Sequence, residues 1–283
     1  MTAQTVTMRA PAMACEFAIQ LPASRPDGAA TDRAGALRAF DLVEDLESLL
    51  SIYREESELS RVNRLAAREP QAVRADLFSL LQRCKAWTAE TDGAFDVTAG
   101  PLIRTWGFFA RAGRVPSSEE LGKAQAACGM DLVELDPLRR TVSFRREGVE
   151  INPGAVGKGY SLDRLAAFLK TAGYRQFLLS AGASSLLGWG RPPWDDAWMV
   201  ELRHPLEPRR ALCLIKLSDH SLSTSGIAEQ QFVSEGKRYA HILDPRSGKP
   251  AAGMLQATAI AGDAATAEAL STAFFVNGPQ WTE

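Results

Sequence analysis

The sequence predicts an α+β fold with mainly antiparallel sheet and packed helices. Two observations carry this reading. Apolar residues spaced three and four apart mark amphipathic helices in the first and third quarters of the chain. Short alternating or continuous apolar runs, punctuated by glycine and proline, bunch in the second half and read as strands. Composition agrees: 283 residues, 46% hydrophobic and 23% charged, are ordinary globular material with enough chain for a large core.

Residues 15–21 (CEFAIQL) read as the first strand, and 21–33, rich in Pro, Gly, Ala and Asp, as a loop. A helix follows over about 34–50, with Leu37, Phe40, Val43, Leu46, Leu49 and Leu50 on one face and Asp41, Glu44, Asp45 and Glu47 on much of the other. Ser57, with Ser60 and Asn63, suggests a capped short helix. Ala75–Glu90 is a second amphipathic helix, stopped by Thr91-Asp92-Gly93. Residues 121–128 read as a short helix, and 133–135 with 141–144 as a small hairpin. Residues 162–172 form a helix ended by Gly173, and QFLLSAG opens an apolar strand and turn. Strands are expected at 198–203, 211–217, 221–226, 238–243 and 254–261, with a turn over 244–248 that has proline at its second position. A last helix runs over 264–276.

Net charge is −2 and the isoelectric point about 6.0, so no basic field points to nucleic acid or an anionic membrane. Cys15, Cys84, Cys128 and Cys213 are scattered with no C-x-x-C pair, which argues against zinc or a disulfide framework and fits a reducing compartment. Small residues before Cys15 mimic a lipoprotein cleavage site, but the first 14 residues lack the apolar run of roughly 7–15 that a signal peptide needs. The expectation is a cytoplasmic chain with no integral membrane segment, and Cys15 packed as a small hydrophobe.

The chemistry centres on residues 151–165, INPGAVGKGYSLDRL. Gly157 and Gly159 flank Lys158, and a Gly-x-Gly turn ahead of a helix offers N–H groups to an anion, commonly a phosphate. Neither a P-loop nor a dinucleotide fingerprint is present, and taken alone the stretch reads better as a plain strand–turn–helix connection. In GAFDVTAGPL (93–102), Phe95 offers a flat face while Asp96 and Thr98 offer an acceptor and a hydroxyl. That set suits a nucleotide's ring and ribose, or a turn whose aspartate caps its own backbone. His204, His220 and His241 show no zinc spacing; only His241 sits in a motif, three residues before Asp244. Glu268 and Thr272, four apart, share a face of the last helix and present oxygen to a hard cation such as Mg²⁺. No Gly-x-Ser-x-Gly supports hydrolase logic.

Four blocks in order, GAFDVTAGPL, GKGYSLD, TSG (224–226) and HILDPRSGKP (241–250), resemble the FAD:protein FMN transferase family, the ApbE flavin transferases. ESELSRVNR (56–64) and AEALSTAFFVNG (267–278) echo it more weakly, and the likeness covers the chain from Met13 onward. The resemblance implies one interlocked α+β domain over residues 1–283, short at its C-terminal end. It implies FAD as substrate, held by Met13, Tyr53, Ala94, Phe95, Asp96, Thr98, Gly154, Lys158, Tyr160 and Leu243. Tyr53 would stack on the flavin, although a structural tyrosine fits the residues as well. His241 and Asp244 would assist catalysis. Mg²⁺ would be held by the Gly157 carbonyl, Glu268 and Thr272, with Ser271 a further oxygen. Many members of the family are exported lipoproteins.

The implied reaction transfers FMN from FAD to a Ser or Thr hydroxyl of an acceptor protein and releases AMP, mostly through positioning and electrostatics. This chain departs from the family pattern at Ala14-Cys15, Asn152, Ala183-Ser184 and Glu268, the last replacing an aspartate by a residue one methylene longer. Two alternatives therefore stay open: a FAD-binding protein without transferase activity, and a Mg²⁺-dependent FAD pyrophosphatase giving FMN and AMP.

Overall fold

The computed structural model describes residues 5–23, 33–207, 209–227 and 230–281; most of the expected 21–33 loop lies outside them. Helices and mainly antiparallel sheets make the expected α+β class. The chain clusters into two compact units, each assembled from three segments of sequence. Met1–Glu47, Val156–Thr224 and Thr258–Glu268 form the first; Ser48–Ala155, Ser225–Ala257 and Ala269–Glu283 form the second.

The first unit is built on a sheet ordered Thr5–Ala12, Cys15–Pro22, Phe177–Ala181, Ser185–Trp189, His220–Gly226, Gln256–Ala261. The last two strands, like the helices Ala39–Leu50 and Ala264–Asn277, contain a unit boundary within them. Pairing from Thr5–Ala12 through to His220–Gly226 is antiparallel. Phe17, Ile19 and Leu21 alternate inward along the second strand. They meet Leu162, Leu165 and Leu169 of the helix Gly157–Thr171 in one apolar cluster. Alternation in a strand and a period near four in a helix thus bury the same core from two sides.

The second unit carries the helices Glu58–Leu65, Ala75–Glu90, Gly100–Thr105 and Ser118–Gln125. A three-stranded sheet is ordered Gln71–Ala72, Thr141–Phe144, Val133–Asp136. Ser57 caps the Glu58–Leu65 helix by accepting from the Ser60 N–H, as its position in the sequence suggests. Asn63, one turn on, bridges the main chain of Ile151: its Nδ2 donates to the Ile151 carbonyl and its Oδ1 accepts the Ile151 N–H, both at 2.9 Å. The Asn152 N–H donates to the Val97 carbonyl at 2.7 Å. The main chain at Ile151 and Asn152 is therefore fixed by a helix and a turn distant in sequence.

Several elements differ from expectation. The helix expected over 34–50 is broken into Arg33–Leu37 and Ala39–Leu50. The one expected at 121–128 is Ser118–Gln125, started by a capping box of Ser117 and Glu120. Ser185–Trp189 is a strand in its own right, returning from a turn at Gly182. Gly157 and Gly159 do not form a turn ahead of the helix; they are its first and third residues. Gly159 permits close approach: a Cβ there would overlap the main-chain carbonyl oxygen of Ala264.

Thr5–Ala12 pairs with Cys15–Pro22 through a two-residue turn, Met13-Ala14, in which both residues have positive φ, 49° and 58°. That is the geometry in which Asn-Gly is favoured, since a Cβ is strained in the left-handed region. Ala14→Gly is expected to raise stability by about 1 kcal/mol, read as a higher urea midpoint. An unchanged or lower midpoint would show that the strain is relieved elsewhere.

Candidate functional site

In the first unit the polar groups gather where the Gly157–Thr171 helix meets the start of the helix Ala264–Asn277. Val156 provides no side-chain cap, so the first N–H groups of the Lys-Gly-Tyr helix need acceptors from elsewhere. Glu268, only 4% exposed, supplies one: its Oε2 accepts the Gly159 N–H at 2.8 Å. Its Oε1 accepts from the Ser185 hydroxyl and lies 3.6 Å from the Lys158 ammonium. Asp163 returns the favour one turn along, accepting the N–H groups of Ala264 and Ala265 at 2.7 and 3.0 Å. Asp263 takes the Thr266 N–H and hydroxyl. Burial, with Asp263 close by, pushes the Asp163 carboxyl up to about 7, although the two N–H groups favour the charged form.

Ser161 donates to the Gly157 carbonyl at 2.8 Å and touches the Met13 sulfur at 3.4 Å. Tyr160 is buried. Lys158 thus forms an ion pair with a buried partner.

In the second unit the 93–99 turn is self-contained. Asp96 accepts the Thr98 N–H at 2.8 Å, the Thr98 hydroxyl at 2.6 Å and the Met130 N–H at 3.1 Å. Thr98 Oγ1 in turn accepts the Gly129 N–H at 2.6 Å. Burial raises the Asp96 carboxyl from its ordinary value, partly offset by the bonds from Thr98 and Met130. These side chains are spent on ordering the turn. Ala94 is buried, and Phe95, 1% exposed, stands edge-on to Trp87 with ring centroids 5.9 Å apart. Phe95 is therefore a core ring, which corrects the expectation that it presents an open flat face. Gly154 sits in a turn closed by Asn152, whose Oδ1 accepts the Gly154 N–H at 2.9 Å.

Tyr53 is the open aromatic, 68% exposed. One face stacks on Phe109, centroids 4.7 Å apart and planes 19° from parallel. The Arg104 guanidinium lies 3.7 Å from the Phe109 centroid and pairs with Glu150 at 2.5 Å. Sequence reasoning named Tyr53 and missed Phe109 and Arg104; the only signal was an unassigned aromatic run after residue 103.

His241 Nδ1 lies 3.1 Å from the Gln230 carbonyl oxygen. A carbonyl can only accept, so Nδ1 carries the proton and Nε2 is the basic nitrogen. Leu243 is buried and pairs with Pro250 across the 244–248 turn. Asp244 closes that turn: it accepts the Arg246 N–H at 3.0 Å and pairs with the guanidinium at 2.8 Å. The Ser225 hydroxyl of the Thr-Ser-Gly block meets Ser271 Oγ at 2.9 Å and Thr272 Oγ1 at 3.3 Å.

Among the described residues, no three His, Cys, Asp or Glu side chains gather as a metal set. The Gly157 carbonyl and Glu268 carboxylate of the first unit, and the Ser271 and Thr272 hydroxyls of the second, are hard oxygen donors. Donors of that chemistry suit a hard cation such as Mg²⁺.

The fold is that of the ApbE proteins. The crystal structure of the ApbE protein from Thermotoga maritima matches with a TM-score of 0.89 at 31% identity, covering 99% of this chain and 89% of that one. The apo form of the Pseudomonas stutzeri flavinyl transferase ApbE gives 0.86 at 28% identity, covering 98% and 86%. The model of the ApbE family matches residues 13–283, and the chain belongs to that family. A curated FAD:protein FMN transferase of Klebsiella pneumoniae (strain 342) is 33% identical over 220 residues, 77% of this chain and 67% of the relative.

The Asp163 environment makes a prediction about pH. Its carboxyl, at about 7 when folded against 3.8 ordinarily, holds its proton more tightly in the native state. Stability from this group is therefore greatest at the acid end of that window and falls as pH rises through it, by up to about 1.4 kcal/mol per pH unit. Asp163→Asn keeps an acceptor for the helix end and is expected to flatten the slope in urea midpoint between pH 4.5 and 7. Parallel profiles for the two proteins would show that another group sets the slope.

Proposed function

We propose that this chain is a Mg²⁺-dependent transferase that moves FMN from FAD onto a Ser or Thr hydroxyl of an acceptor protein, releasing AMP. Family membership and the relatives' shared name support the reaction class. The observation that carries the mechanism is the bond from His241 Nδ1 to the Gln230 carbonyl, which puts the ring proton on Nδ1 and the lone pair on Nε2.

His241 Nε2 takes the proton of the acceptor hydroxyl. The hydroxyl oxygen attacks the phosphorus on the riboflavin side of the diphosphate. A new P–O bond forms to the acceptor, the bond to the AMP phosphate oxygen breaks, and AMP leaves with that electron pair. Asp244, through Arg246, holds the turn beyond His241 in one conformation and acts as a positioning residue. Tyr53, backed by Phe109 and Arg104, offers its outer face to the flavin ring.

Ala94, Phe95, Asp96 and Thr98 contribute as the frame of a rigid turn, so its main chain rather than its side chains meets the nucleotide. Gly154 and Leu243 act in the same way. Met13 and Tyr160 contribute packing around the Lys-Gly-Tyr helix, and the Lys158 ammonium suits phosphate oxygens. Glu268, Ser271, Thr272 and the Gly157 carbonyl would hold Mg²⁺, which neutralises charge on the diphosphate when bound. Among the described residues no helix is long and apolar enough to cross a membrane.

The test is to mix the protein with FAD, Mg²⁺ and a Thr-bearing acceptor peptide, then measure covalent FMN by mass together with AMP. FMN on the peptide is expected. AMP and free FMN without labelled peptide would favour the pyrophosphatase, and FAD binding with no product the inactive flavin binder. His241→Ala is expected to leave FAD binding intact and lower transfer at least tenfold, a barrier change of about 1.4 kcal/mol. Lost folding with unchanged activity per folded molecule would make His241 a packing residue.

A further inference from the structure

The Glu268 carboxylate is met by three donors of the chain's own. Gly159 donates to Oε2, the Ser185 hydroxyl donates to Oε1, and the Lys158 ammonium lies 3.6 Å from Oε1. A carboxylate this buried needs a counter-charge, and Lys158 provides it. A divalent cation drawn to the same carboxylate would stand beside that ammonium. At short range and away from bulk water two positive groups repel strongly, so both do not occupy the site together. The partners are unequal in freedom. The Glu268 side chain is 4% exposed, whereas the Lys158 side chain is 23% exposed and ends on a flexible four-carbon stem that can swing toward water.

We propose that Lys158 is the resident counterion of Glu268 and that Mg²⁺ binds by displacing it, so that metal affinity is set by exchange of an ammonium for a cation. The proposal rests on the Mg²⁺ reading given above. Ser185 and Gly159 keep the carboxylate aimed through the exchange. An ionised carboxylate has about four acceptor sites, enough for these two hydrogen bonds and a cation together. The departing ammonium becomes available to an anion, which couples metal binding to binding of a diphosphate.

Calorimetric titration with Mg²⁺ alone, on the unaltered protein and on Lys158→Met, tests this. The variant is expected to bind Mg²⁺ at least tenfold more tightly, within the range usual for coupled sites. Its melting temperature should fall without metal and recover with it. Equal Mg²⁺ affinities would overturn the exchange while leaving the metal reading standing. An absence of Mg²⁺ binding by either protein would overturn both.

Because Lys158→Met strips a buried group of its counter-charge, a second measurement uses the unaltered chain. Acetylation of Lys158 by acetic anhydride, read by peptide mass spectrometry, is expected to rise severalfold when Mg²⁺ saturates the protein. Unchanged labelling at saturation would overturn the proposal whatever the variant does.

Discussion

Two helix ends in the first unit are each closed by a carboxylate from the other helix. Glu268 accepts an N–H from the first turn of the Lys-Gly-Tyr helix, and Asp163 accepts two from the first turn of the last helix. Each carboxylate also faces the positive end of the helix it closes. The arrangement needs the helices to touch, and Gly159 permits it, since any side chain there would overlap the Ala264 carbonyl. Gly159 and Asp163 are one turn apart, as are Ala264 and Glu268. One spacing on each helix therefore supplies both a contact and a cap.

This reciprocal closure explains much of how the first unit handles its polar residues. Lys158 follows Gly157 at the very start of the helix, so the bond that fixes Gly159 also brings its neighbour's ammonium to Glu268. Ser185 joins because its strand returns beside Phe177–Ala181 after the Gly182 turn. The second unit works by a similar economy. Asp96 and Thr98 order their own turn and reach Gly129 and Met130, while Asn63 and Val97 fix the main chain at Ile151 and Asn152. In both units the polar side chains of the motifs mostly hold main chain in place, and fewer are left to meet a ligand directly.

That distinction decides what could be read from the sequence. Helix faces with strong three-and-four spacing, such as Ala75–Glu90, and the hairpin of Val133–Asp136 with Thr141–Phe144, were legible because local pattern and burial agree. The chemical blocks were legible as order and spacing. The use of Gly159 was not, because glycine is a turn signal locally while its use here comes from a helix more than 100 residues away in sequence. Phe95 misled for a related reason. An aromatic beside an aspartate looks like a ring platform, and only the packing against Trp87 makes it core. Phe109 stood in an aromatic run with no assigned role, since its stacking on Tyr53 and under Arg104 depends on geometry that periodicity does not encode.

The length of the Glu268 side chain suits the same geometry. A carboxylate on the last helix has to reach the Gly159 N–H, the Ser185 hydroxyl and the Lys158 ammonium at once. Reach matters as much as charge, because a buried carboxylate that loses one donor bears the cost of desolvation without compensation. The length of a glutamate lets the side chain span from its own helix to a neighbouring helix and a neighbouring strand. Glu268 is thus held as a structural clasp, with the Lys158 ammonium, on its flexible four-carbon stem, as a charged partner.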